Sequence, residues 1–259
     1  MYIFGCLYKY NTKSVIYKLS PSLKFIQNTE NKGFATACNQ GINLAKGKYI
    51  FLLNPDTELL NESLNIFFDF MEKKENDLIW CIGAQLYDEY NKPSKSYGNF
   101  PTVFDVVSEQ FGIKGLLLKI PQIRSSVKQK TMNRNIEVPF VMGCNMFIRR
   151  SLLDKIGLFN ENFFLNFEET ELSWRANKAG YKSIVLSEAK ILHYSGKSFP
   201  NLQSYLTHLW FGQLLFFKLT HHHFIFLLAK VIHLIGSMLR FMFKFDKNYL
   251  THVKKILSI

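Results

Sequence analysis

Cysteine is scarce in this sequence and never clustered. Cys6, Cys38, Cys81 and Cys144 stand too far apart for a metal-binding pair or a redox motif, which argues against a zinc-ribbon or disulfide-framework protein. With no secretory signal ahead of them, a reducing cytosol is the expected compartment, and each thiol reads as a small buried residue. Acids are also in short supply, 20 Asp and Glu against 32 Lys and Arg, for a net charge of +12. The shortage is sharpest after residue 200, where six Lys and one Arg meet a single acid, Asp246. Nucleic acid, anionic lipid and phosphorylated small molecules are the partners such a charge admits. Nucleic acid ranks last, because the basic residues are not set among the exposed aromatics and recognition motifs that it requires. There is no internal repeat. The basic end holds no 18 consecutive uncharged apolar residues, so a helix crossing a membrane is not expected there.

What is present is an α/β pattern. At 259 residues the chain is long enough to bury a real core, and one α/β domain with an appendage is the expected organisation. Apolar runs at 3–7 and 23–26 suit strands, a turn spans 31–34, and 35–45 reads as a helix capped by a left-handed Gly47. Residues 49–53 form an unbroken apolar run, the pattern of a strand buried on both faces, which Pro55 stops. A helix at 62–74 and a strand at 79–86 follow. Residues 88–135, broken by Pro93, Pro101 and Pro121, are too long for a plain loop and read as a variable insertion. Strand character returns at 138–148, then a short helix at 151–156 capped by Ser151, a helix at 167–179 ending at Gly180, and strands at 183–186 and 190–194. Strands alternating with helices predict a mostly parallel sheet.

Three places carry chemistry. Asp56 lies just beyond a strand's carboxyl end, where ligands of open α/β sheets gather and where a carboxylate can hold a hard cation such as Mg²⁺ or Mn²⁺; Asn54-Pro55-Asp56 is equally good turn chemistry. Glu168, Glu169 and Glu171 crowd the first turn of a helix, where they could supply a general base and its orienting partners. Asn166 and Glu169 also have capping-box spacing, and Glu171 can pair with Arg175 at i,i+4. His193 ends an apolar strand before a glycine-containing turn, a place for a neutral metal ligand or for a structural histidine.

Taken in order, these segments resemble the family 2 glycosyltransferases. Residues 31–41 (NKGFATACNQG) and 52–58 (LLNPDTE) are similar to the family's donor-side signature, nearest to its rhamnosyltransferase-like and galactofuranosyltransferase-like branches. Residues 143–150 (GCNMFIRR) and 156–164 (IGLFNENFF) resemble the segment leading into its acidic helix, and 193–198 (HYSGKS) its histidine-containing turn. The likeness covers roughly residues 23–200. It implies a GT-A fold that binds a nucleotide-sugar donor and transfers the sugar with inversion to a glycan or lipid-linked acceptor in cell-surface polysaccharide synthesis. By the same resemblance Asp56, with Asn54 in the first slot of the motif, and His193 hold the divalent metal, Mg or Mn. Glu169 is the base, with Glu168, Glu171 and Arg175 supporting it. Asn31, Gly33 and Asn39 flank the donor. Two features depart from the family pattern: Glu stands at 169 and 171 where Asp is usual, and the Asp-Asn pair that ends the family's second strand is matched only by Tyr10-Asn11. The resemblance therefore implies that the first strand-helix unit is missing, and predicts weak donor binding and a coding region upstream that supplies it. A non-catalytic relative of the fold at the membrane surface is the alternative.

The expected division is a transferase domain over 1–200 and a basic helical tail over 201–259. His223, Lys230, His233, Ser237, Arg240, Lys244 and Lys247 recur at helical spacing on one stripe. Such a helix suits the headgroup region of an anionic membrane surface, or packing against the catalytic domain. The placement this predicts is cytoplasmic, peripheral at the inner face of the cell membrane.

Overall fold

The structure, a computed structural model, describes residues 2–5, 18, 24–113, 116, 119, 131–194, 202–244 and 248–259. Tyr10-Asn11 and the turn after Tyr194 lie outside them. Strands β1 (Tyr2–Gly5) and β2 (Lys24–Gln27) pair in parallel as a two-stranded sheet. Helix α1 (Phe34–Leu44), strand β3 (Tyr49–Leu53), strand β4 (Thr57–Leu59) and helix α2 (Ser63–Met71) follow. Next come β5 (Ile79–Tyr87), β6 (Tyr97–Gly98), α3 (Val103–Gln110), β7 (Ile136–Val138), β8 (Phe140–Val141) and β9 (Asn145–Arg149). The order closes with α4 (Arg150–Ile156), α5 (Glu168–Lys178), β10 (Lys182–His193), α6 (Leu202–Thr220), α7 (His223–Lys244) and α8 (Asn248–Leu257).

The main sheet has six strands in the order β3-β9-β5-β10-β4, with β7 also on β10. It is mixed rather than mostly parallel. β5 and β10 run parallel, whereas β9 lies antiparallel to both β3 and β5, and β4 and β7 lie antiparallel to β10. Alternating residues serve the two faces. Cys81 and Ile148 point to a core under α1, α4 and α5, while Ile82 and Phe147 point to a core under α2. Covering both faces makes a three-layer domain in which every residue of β5 is buried.

Several expected boundaries shift for identifiable reasons. β3 is an edge strand with only Ile50 fully buried, because an apolar run does not reveal which strand sits at the margin. Gly47 is not a left-handed cap; α1 ends at Ala45 in extended backbone. The expected strand over 138–148 is cut into β7, β8 and β9, where Pro139 lacks a ladder donor and Met142 to Cys144 make a turn. Ser151 does not cap α4, which starts at Arg150 straight out of β9 without a side-chain cap. The two strands expected at 183–186 and 190–194 are one strand, β10, whose register slips between Leu186 and Lys190. The segment 88–135 contains β6 and α3, and α3 opens with a reciprocal Thr102–Asp105 capping box.

The last 58 residues hold three helices packed on the domain. Trp174 of α5 meets Phe216 of α6 edge-on at 5.7 Å, and Phe100 stacks near Phe216 as well. α7 departs from expectation twice. Its residues His223–Phe243 are long and apolar enough to cross a membrane by length and composition, at a mean hydropathy of 1.8, because Lys230 and Arg240 are their only charges. The centre of the expected polar stripe also faces inward: His233 and Ser237 are fully buried.

Candidate active site

Strand pairing alone brings Asp56 and His193 together. β4 and β10 run antiparallel with Thr57 opposite His193, and the ladder continues as the Tyr194 amide donates to the Asp56 carbonyl at 2.9 Å. His193 Nε2 therefore lies 3.4 Å from Asp56 Oδ1, with both side chains less than a fifth exposed. That oxygen is buried and accepts no hydrogen bond, so the pair is close without being aligned on one another. Two ligands at about 2.0–2.2 Å from one ion, at about 90–110°, stand roughly 3.0–3.5 Å apart. A buried, unsatisfied carboxylate oxygen at such a distance from an imidazole fits a divalent metal. Among the described residues no cluster of three or more His, Cys, Asp or Glu could hold an ion. Further ligands would have to come from phosphate and water, the usual habit of Mg²⁺ at a nucleotide.

The acidic helix reaches the same region through the turn between β8 and β9. The Asn54 amide donates to the Cys144 carbonyl at 3.0 Å, which holds the Asn54-Pro55-Asp56 turn against Cys144. A Cβ on neighbouring Gly143 would stand 3.8 Å from Glu169 Cβ and 3.6 Å from the Phe34 ring. Burial pushes the Cys144 thiol up to about 12, and the charges of both Asp56 and Glu169 add to that rise. Cys144 thus lies within electrostatic reach of both carboxylates and remains a neutral thiol. Nothing in the spacing of the four cysteines signals that position.

Glu168, Glu169 and Glu171 are all buried. The expected Asn166–Glu169 capping box is not formed. Phe167 is the N-cap, Asn166 and Phe167 both have left-handed backbone (φ 67° and 73°), and no side chain caps the helix. Two successive non-glycine residues in that region are strained; they set the direction in which the helix leaves Phe164. Burial raises the Glu169 carboxyl and raises Glu168 well above the carboxylate range, the repulsion of Glu169 adding to the second. A backbone hydrogen bond at Glu169, and then Lys95, partly offset the rise there. Glu171 has a different task. It takes both Arg175 Nε (2.7 Å) and Nη2 (2.9 Å), and Arg175 also donates to the carbonyls of Ile156 and Leu158. The pair ties α5 to the end of α4.

The donor-side residues divide likewise. Asn31 Oδ1 accepts from the Gly33 amide at 3.0 Å, shaping the entry to α1. Gly33 has φ +84°, and a Cβ there would collide with the Phe164 carbonyl, which accepts from the Phe34 amide at 3.0 Å. Glycine is required on both counts. Asn39 is buried and spent internally: Nδ2 donates to Phe159 O (2.9 Å) and Glu161 Oε1 (2.8 Å), while Oδ1 accepts from the Phe159 amide. In this way it positions the wall. Asn54 contributes its backbone, its carbonyl accepting from the Thr57 hydroxyl at 2.6 Å. α6 adds His208, stacked on Phe164 at 4.8 Å, and Tyr205, whose phenol is raised first by burial and then by Glu109 and Glu169. Both fall in the stretch expected to be a separate tail.

A two-faced mixed sheet with a metal-suited carboxylate at a strand end and a buried acid pair across a glycine turn defines a GT-A glycosyltransferase fold. The family model described as "Glycosyl transferase family 2" matches residues 8–157, more than half of the chain. The chain belongs to that family. It is 33% identical over 61 residues to the N-acetylglucosaminyl-diphospho-decaprenol L-rhamnosyltransferase of two Mycobacterium tuberculosis strains, a stretch of 24% of this chain and 20% of theirs. The match thus spans about a fifth of the length of those curated relatives. Among solved structures it resembles GalNAc-T7 with UDP, GalNAc and Mn²⁺, with TM-score 0.53 and 16% identity over 80% of this chain and 40% of that one. It also resembles the mannosyltransferase PcManGT from Pyrobaculum calidifontis with GDP-Man and Mn²⁺, with TM-score 0.54 and 12% identity over 99% of this chain and 63% of that one.

Proposed function

We propose that this protein is an inverting, metal-dependent glycosyltransferase of the hexosyl or rhamnosyl type. It moves a sugar from a nucleotide-sugar donor to a glycan or lipid-linked acceptor in cell-surface polysaccharide synthesis, at the cytoplasmic face of the cell membrane. The observation that carries this reading is the convergence of Asp56 and His193 at 3.4 Å, one oxygen of the pair buried and unsatisfied. The match to a rhamnosyltransferase named for an N-acetylglucosaminyl-diphospho-decaprenol supports the choice of acceptor.

Asp56 and His193 would hold Mg²⁺ or Mn²⁺, which when bound neutralises the diphosphate as it leaves. Asn31 and Gly33 shape the donor wall. Glu169 takes the proton of the acceptor hydroxyl as its oxygen forms the new bond at the anomeric carbon and the bond to the diphosphate breaks. A base whose affinity for protons is raised by burial serves this better than an exposed carboxylate. Glu168 beside it is raised by the same burial and by the repulsion of Glu169, so the two carboxyls oppose carrying charge together. With one base and no nucleophile on the protein required, a single displacement inverts the anomeric centre.

The test is transfer or donor hydrolysis by the full chain against a panel of labelled nucleotide sugars, with and without chelator. Turnover that chelator abolishes and Mn²⁺ or Mg²⁺ restores is expected, with Asp56→Asn inactive. Turnover indifferent to chelator, or an active Asp56→Asn, would overturn the metal assignment.

A further inference from the structure

α7 has its polarity inverted. In a soluble amphipathic helix the polar stripe faces water and the apolar stripe the core. Here His233 and Ser237 are 0% exposed, whereas Phe224 is 70%, Met238 58% and Phe243 81% exposed. On the inward stripe His233 and Arg240 belong to a polar network, while the Ser237 hydroxyl is buried without a hydrogen bond. Gln110 of α3 bonds His233 Nδ1 at 2.8 Å, Gln213 of α6 bonds His233 Nε2 at 3.0 Å, and both contacts are buried. Arg240 donates to Gln110 Oε1 and to the Glu109 carbonyl, and its guanidinium lies 4.8 Å from the centre of the Trp210 ring. His233 and Arg240 thus dock α7 along the domain, and one apolar face about 30 Å long stays exposed among the described residues. Such a face needs an apolar occupant.

We propose that this face lies in the plane of a bilayer, seated in the headgroup and upper acyl region of an anionic leaflet. The inference deepens the membrane placement proposed above and does not depend on catalysis. Charge decides between a bilayer and a second copy of the chain. The described parts of α6, α7 and α8 contain no Asp or Glu, and Lys254 and Lys255 are exposed on α8. Two copies meeting on this face would oppose basic rims; anionic headgroups complement them while the acyl region takes the apolar side chains. Docking decides between lying and crossing. α7 is tied to α3 from Gly236 to Arg240, so a spanning α7 would carry part of the catalytic domain's own α3 into hydrocarbon. On the same face Phe111, Leu239 and Phe243 line a groove of about 390 Å³ beside Arg240, suited to an acyl chain with its phosphate at the guanidinium.

The experiment uses the full chain with vesicles of phosphatidylcholine alone or mixed with phosphatidylglycerol. Binding only to the mixed vesicles, weakened by salt, is expected. The double variant Met238→Glu/Phe243→Glu, at two exposed positions, should lose more than about tenfold of its partition with an unchanged melting temperature. Tryptophan introduced at Val231 or at Phe243 should be quenched by shallow brominated lipid to the same extent. A centrally deep Val231→Trp would overturn the in-plane arrangement. Equal vesicle binding by the double variant, or no vesicle binding together with a dimer by light scattering, would overturn the lipid face. Transfer to a soluble acceptor, measured in parallel, reports on the enzymatic reading independently.

Discussion

Glu168 and Glu169 differ in what they do to stability and to turnover. Both are held above the ordinary carboxylate range by burial, so the folded protein binds protons more tightly there than the unfolded chain. Their contribution is fully present below the unfolded value and is lost as pH rises through the folded one. Glu168→Gln should therefore melt higher than the parent at pH 7–8 and flatten the decline of melting temperature with pH; a lower melting temperature at that pH would contradict the burial account. Glu169→Gln should lower transfer by about 10²-fold or more while leaving the fold intact, and the parent's activity should fall on the acid side of a limb lying above the normal carboxylate range. A pH–rate profile of each variant separates the two residues. Arg175→Ala acts through structure instead, leaving Glu171 buried without its bidentate partner, at a cost of about 3 kcal/mol read by denaturant unfolding. The Glu171–Arg175 pair was legible because i,i+4 spacing on a helix is a local property. Whether Asn166 caps the helix was not, since it depends on a left-handed backbone at Asn166 and Phe167 that contacts from α6 help to hold.

At the scale of elements, the motifs were easier to read than their surroundings. Residues 49–53 and 79–86 were visible as strands because apolar runs bounded by turn residues have few alternatives. The antiparallel entry of β9 and the edge position of β3 depend on how distant segments pair, and a window of sequence carries no such signal. The same holds for β10, read as two strands because Ser187 and Glu188 interrupt its apolar pattern, although the backbone bulges there and continues. The contact between α6 and the Asn166-Phe167 turn is of this non-local kind too. A Cβ at Gly212 would lie 2.8 Å from the Asn166 carbonyl and 3.1 Å from the Phe167 ring, so α6 can approach that turn only where a glycine stands. Gly212→Val should destabilise the protein by about 1–3 kcal/mol. It should also depress kcat more than donor KM, since the turn aims Glu169 rather than the metal residues. A variant with full kcat and only lowered stability would show that α6 merely packs there.

For the molecule as a whole, the last three helices are both a surface and part of the core. A basic amphipathic tail read from sequence invites the idea that residues 201–259 detach cleanly, and the exposed apolar face of α7 keeps its role as a membrane contact. Removing the three helices, however, would uncover Trp174 of α5, Phe100 and Val106 of α3, and would leave Gln110 without its histidine and arginine partners. Burying an aromatic side chain is worth about 2–3 kcal/mol, so losing several such contacts takes a large share of a domain stability of about 5–15 kcal/mol. Deletion of 201–259 should therefore yield aggregated or partly folded protein. The exposed-face variant Met238→Glu/Phe243→Glu should instead stay folded and soluble while losing vesicle binding. Size-exclusion chromatography and thermal melting of the two proteins side by side decide the matter. A monomeric, cooperatively melting deletion product would mean that α6 contributes little to the core, and that its packing against the acidic helix does not hold the active site in place.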